Sequence, residues 1–99
     1  MNVLAQLLED LADEIGITER SAADGAVEYR RGGILFAVSG PALELRLRPD
    51  VAAAALGTPG TAPSTRGESW VRFAPSQVDQ LALDRAAAWF ALAWRVAAG

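Results

Sequence analysis

Ninety-nine residues without cysteine or histidine are enough for one compact core, and they exclude disulfides, thiol nucleophiles and the commonest zinc ligands. All nine basic residues are arginine, which removes lysine-based catalysis. A formal net charge of −3 lacks the dense positive surface on which general nucleic-acid or anionic-membrane binding depends.

The first element is an amphipathic helix over residues 2–15. Val3, Leu4, Leu7, Leu8, Leu11 and Ile15 share one face, Glu9 and Asp13 lie opposite, Asn2 stands at the N-cap and Gly16 at the stop. Together with Asp10, Glu14 and Glu19, those acids make residues 1–19 free of basic side chains, so this helix presents an acidic wall. Residues 17–25, ending in Asp24-Gly25, read as a connector and turn.

Ala26 to Arg30 alternates as a strand with Val27 and Tyr29 inward. Arg31-Gly32-Gly33 then turns into Ile34 to Ser39, which is apolar on both faces, as suits a central strand. Ser39-Gly40-Pro41 is a turn, and after it Leu43, Leu45 and Leu47 face one way while Glu44, Arg46 and Arg48 face the other. Pro49 to Gly57 has a proline at its start, alanines inside and a glycine at its end, the marks of a short helix. Residues 57–69 read as loop. Trp70 to Ala74 is a fourth strand with Val71 and Phe73 inward, and Ser76-x-x-Asp79 resembles a capping box that opens a long helix to about Ala97. On that helix Val78, Leu81, Trp89, Leu92, Ala93 and Val96 form one arc, and Leu83, Phe90 and Trp94 an adjacent one.

The expected object is one α+β domain over residues 1–99. It has an antiparallel sheet of about four strands, with the N-terminal helix, the short middle helix and the long C-terminal helix packed on one face. No uninterrupted apolar run is long enough to span a membrane, and no basic start precedes an apolar leader, so a cytoplasmic protein is expected.

Few residues carry chemistry. A serine or threonine nucleophile would have only carboxylates as bases, and no spacing of acids suggests a facing pair, so no enzymatic activity is expected. Neither a metal nor a cofactor is expected. The outward sheet face collects Glu28, Arg30, Glu44, Arg46, Arg48, Trp70 and Arg72. Of these, Arg46, Arg48, Trp70 and Arg72 are candidates for holding a carboxylate or phosphate, with guanidinium forks for the anion and an indole for stacking. Ser64-Thr65-Arg66-Gly67 has a faint likeness to an anion nest without phosphate-loop spacing. Trp89 and Phe90 lie about 100° apart on the helix, so one sheet buries one of them well but hardly both unless the first helix takes the other; the group is either core, or, with Phe90 and Trp94, a candidate partner surface. Arg85 is expected to lay its stem on the helix's apolar arc and reach an acid of the first helix or an aromatic ring.

Gly32-Gly33, Phe36-Ala37, the Gly40 turn into Leu43 to Leu47, the Trp70-to-Pro75 strand and the Leu81…Trp89…Ala93 helix resemble the TfoX N-terminal domain and the related MmcQ/YjbR-type domains. The likeness covers about residues 32–97. Leu45 to Ala54 and Gly67 to Phe73 are also similar to small bacterial domains called "luciferase-family". The TfoX resemblance implies an α+β fold and a link to transcriptional regulation, and no functional residue is carried over from it. An arginine where those families favour lysine, the missing second domain and the acidic surface depart from the pattern. The first functional expectation is therefore a non-catalytic module acting through a protein partner, itself included, by way of the last helix. A small-molecule or anion-binding module using the arginine-rich sheet face is the alternative, and an accessory transcription-related factor the third.

Overall fold

The computed structural model describes residues 2–99. In chain order the elements are α1 (Val3–Ile15), β1 (Arg20–Ala23), β2 (Ala26–Arg31), β3 (Ile34–Ser39), β4 (Leu43–Arg46), α2 (Pro49–Leu56), β5 (Thr61–Pro63), β6 (Trp70–Phe73) and α3 (Gln80–Ala97). The fold is α+β with an antiparallel sheet, as expected, but the sheet has six strands rather than about four, in the order β1-β2-β3-β4-β6-β5.

Both additional strands are edges. Asp24 and Gly25 have φ of 52° and 77°, the two positive values that a tight mirror-image hairpin turn requires, and they fold Arg20–Ala23 back onto β2. Arg-Ser-Ala-Ala carries no apolar alternation because three of its four residues stay exposed at the rim. At the far edge β5 pairs with β6 through only Thr61, Ala62 and Pro63, and Pro63 is tolerated because no further strand needs its missing N–H.

The carboxylate of Glu19 locks the β1 end. It accepts the N–H groups of Gly32 at 2.6 Å and Gly33 at 2.9 Å in the β2–β3 turn, while its backbone oxygen accepts the N–H of Arg30 at 2.8 Å. Two charge-assisted bonds are lost in Glu19→Ala. The expected cost is about 1–2 kcal/mol, read as a lower urea midpoint with an unchanged slope.

The β3 strand does not alternate as its sequence suggests. Tyr29 opposes Ala37 and Arg30 opposes Leu35, which leaves Phe36 without a partner, so β3 carries a bulge there. The bulge turns both Phe36 and Ala37 toward the helices, where each has no exposed surface, and puts Val38 beside Glu28 and Glu44 on the opposite face.

One face of the sheet is the floor of the core. Tyr29, Phe36, Ala37, Leu43, Leu45, Val71 and Phe73 lie there against α1, α2 and α3. In α1, Asn2 accepts the Ala5 N–H and Gly16, at φ 88°, ends the helix by donating to the Ala12 carbonyl, so both expected caps are present. The start of α3 is later than the Ser76 signal suggests: the carboxylate of Asp79 accepts the Ala82 N–H, and the helix begins at Gln80.

The buried stripe of α3 also differs from the expected arc. It is Ala82, Ala86, Phe90, Ala93 and Ala97, while Leu81 and Val78 are exposed. Four alanines let the helix axis come close to the sheet, and the larger side chains then straddle the seam. Trp89 meets Phe73 edge-on at 5.1 Å on one flank, and Trp94 meets Phe36 at 5.6 Å on the other. Phe90 lies between them, 5.2 Å from Tyr29 and 5.7 Å from Phe36. Arg85 is half-buried beside Pro59, Phe73 and Pro75 at the β6 end and makes no ion pair with the acids of α1 among the described residues.

Candidate functional site

The other face of the sheet carries no helix. On an antiparallel ladder, directly paired residues point to the same side, so the register fixes what this face presents. Leu43 pairs with Phe73 and Leu45 with Val71 on the core side, which puts Glu44 with Arg72 and Arg46 with Trp70 on the open side. Glu28 and Arg30 of β2 lie on the same open face. Three of the four candidate ligand residues, Arg46, Trp70 and Arg72, are therefore brought together.

Arg48 is not among them. The ladder of β4 ends at Arg46, Leu47 is buried, and the chain turns at Arg48 into α2 because Pro49 is preset for the first helical position. Arg48 is exposed, stands 3.4 Å from Asp50, and borders a groove on the helical side of the molecule.

The open face has a fixed centre at Glu44. The Ser64 hydroxyl donates to the Glu44 carboxylate, the guanidinium of Arg66 lies 3.2 Å from the same oxygen, and the Arg66 N–H donates to the Ser64 hydroxyl oxygen at 3.2 Å. The loop between β5 and β6 is thereby folded onto the sheet, with Arg66 5.9 Å from the Trp70 ring centre. Ser64 is buried even though it lies in a loop, and the Glu44 side chain is only 20% exposed. What reads in sequence as a faint nest is a clasp on a carboxylate. Its partner, Glu44, lies 20 positions earlier, and only the β4–β6 pairing brings the two together.

The arginines of this face divide by partnership. Arg30 is 2.9 Å from Glu28, and Arg66 is held by Glu44. Arg46 and Arg72 have no ion-pair or hydrogen-bond partner among the described residues. They are diagonal neighbours across β4 and β6, a relation that puts α-carbons roughly 7–8 Å apart and leaves two guanidiniums able to meet at one point. A shallow depression of about 210 Å³ is lined by Arg72, but not Arg46, together with Val38, Pro41, Glu44 and Arg66.

The aromatic residues of α3 are placed differently from the expected partner surface. Phe90 has no exposed surface and is therefore not an interface residue in this fold. The reason is the run of flanking alanines, which lets one sheet take Phe90 while Trp89 and Trp94 cover its sides. Trp94 is half-buried, with the Arg31 guanidinium 3.9 Å over its ring and also donating to its backbone oxygen at 3.0 Å.

No helix of the described residues is long and apolar enough to cross a membrane. In comparisons with known proteins the chain matches no family model, no curated protein and no solved structure.

Proposed function

We propose that the open sheet face binds a small anion or the anionic group of a small molecule, a carboxylate or phosphate, between Arg46 and Arg72. The observation that carries this reading is the unpaired diagonal. Two guanidiniums stand on one ladder without an ion pair among the described residues, Glu44 opposite Arg72 being held by Arg66, while Arg30 is paired with Glu28. The charge of Glu44 is committed to Ser64 and Arg66, and Trp70, paired with Arg46, offers an aromatic surface for whatever carries the charge.

The test is a titration of isotope-labelled protein with inorganic phosphate, succinate and a nucleoside monophosphate, followed through backbone amide shifts. Saturable shifts centred on β4 and β6 are expected for at least one of them. Arg46→Ala and Arg72→Ala should each weaken that binding roughly tenfold or more, the loss of one charge-assisted contact. Arg30→Ala, which removes a guanidinium already committed to Glu28, should leave it unchanged. Absence of saturable shifts with all three compounds rejects the reading.

Association through α3 has less support. Of the two residues that would carry it, Phe90 is enclosed and the exposed part of Trp94 is overlaid by Arg31. The TfoX likeness and the transcription-related role it implies rest on the quoted sequence segments alone.

A further inference from the structure

A concavity lies on the other side, between α2 and the end of α3. It encloses about 420 Å³, inside the range of roughly 300–1,000 Å³ usual for small-molecule sites. Its floor is Val51 of α2 with Leu92 and Val96 of α3, all half-buried, so each leaves apolar surface uncovered. Its rim carries Arg48 at the start of α2 and Arg95 in the last turn of α3, with Gly99 beside them.

Two arginines border the groove. Asp50 is the one acid paired here, 3.4 Å from Arg48, and with both side chains about 70% exposed that pair is worth little. Arg95 has no ion-pair partner among the described residues. An anion at the rim gives Arg95 the counter-ion it lacks, and an apolar tail attached to that anion finds Val51, Leu92 and Val96 beneath it. A bare inorganic anion leaves the floor wet, and a neutral apolar molecule leaves the rim uncompensated. A polyanionic surface is disfavoured because the protein as a whole carries −3.

We propose that the α2–α3 groove binds an amphipathic monoanion, its apolar part on Val51, Leu92 and Val96 and its charged end between Arg48 and Arg95. This site is independent of the open sheet face, from which the sheet separates it.

Decanoate is the probe, with decyl sulfate, decanol and anionic phospholipid vesicles as the other arms, and backbone amide shifts as the readout. Decanoate is expected to give saturable shifts at Val51, Leu92 and Val96 below the concentration at which it self-associates. Decyl sulfate should act at the same residues, and decanol should bind roughly fivefold or more weakly because the rim arginines gain nothing from it. Arg95→Gln, at an exposed position, should keep the thermal midpoint and weaken decanoate by a similar factor. Leu92→Ser should weaken decanoate and decanol together. Four outcomes overturn the proposal: no saturable shift, equal binding of decanol and decanoate, shifts confined to β4 and β6, or binding of vesicles without binding of monomeric decanoate. Because the two faces report through different amides, silence in the groove with shifts at Arg46 and Arg72 rejects this site alone.

Discussion

Phe90→Ala is expected to lower the unfolding free energy by about 3–5 kcal/mol, a large part of what holds a domain of this size together. The ring has no exposed surface and touches two other aromatics, Tyr29 at 5.2 Å and Phe36 at 5.7 Å. Its neighbours along the stripe, Ala86 and Ala93, are too small to collapse into the space, so the cavity persists and its cost adds to the lost transfer energy. Equilibrium urea unfolding checks this. A loss below about 1 kcal/mol would falsify the placement of Phe90 in a closed core, since a surface-exposed partner residue shows only that. Trp94→Glu makes the same distinction on the flank. It should destabilise the folded chain by removing the contact with Phe36 and the cover for Arg31, rather than convert a dimer into a monomer of equal stability. Sedimentation of the wild type beside unfolding of the variant separates the two.

The parts of this fold legible in sequence are those whose signals are local. Asn2 and Gly16 bound α1 through bonds to residues within a turn or so. Leu43 and Leu45 declare the buried side of β4 by strict alternation, and Pro49 declares α2. Three features were not legible for related reasons. β1 and β5 are edge strands, so their residues need no buried face and carry no apolar period. Asp24-Gly25 was nevertheless a hairpin signal, and followed through it would have supplied β1. The bulge at Phe36 depends on pairing with Tyr29 and Arg30, and a strand apolar on both faces gives no hint of which residue slips out of register. The buried stripe of α3 runs through alanines, which an arc drawn through the largest residues passes over.

For the candidate sites the division is similar. Arg46, Trp70 and Arg72 reach one face because period-two alternation on two strands is a sequence property. Arg48 leaves that face because the strand stops two residues earlier than its alternation does. The Ser64–Arg66 clasp on Glu44 and the Arg31 cover on Trp94 join residues 20 and 63 positions apart, distances at which no local pattern speaks.

Tyr29 should give this protein an alkaline transition with a single cause. Its side chain has no exposed surface, and its hydroxyl is the one buried side-chain polar atom without a hydrogen-bond partner among the described residues. Burial, reinforced by the negative charge of Glu9, pushes its pKa from 10.0 up to about 12 despite the opposing influence of Arg20. The neutral phenol is favoured in the folded state, so this contribution to stability is complete below pH 10. Between pH 10 and 12 the unfolded chain loses its phenol proton while the folded one keeps it, and the contribution disappears as pH passes the folded value. Two pH units correspond to at most about 2.7 kcal/mol, and an enclosing shell only one helix thick brings the expected loss nearer 2 kcal/mol. The composition makes the experiment clean. With one tyrosine and neither lysine nor cysteine, no other side chain titrates between pH 9 and about 12, so phenolate absorbance reports Tyr29 alone. Its midpoint should lie near 12 in the native protein and near 10 in denaturant. Tyr29→Phe keeps the ring against Phe90 and removes the orphan hydroxyl. It should therefore be neutral or stabilising by up to about 1 kcal/mol at pH 7, and its unfolding midpoint should be flat between pH 10 and 12 where the wild type falls. A native titration midpoint at 10, or a variant that loses stability at pH 7, would show that the hydroxyl reaches water or a partner that the packing of α3 over β2 denies it.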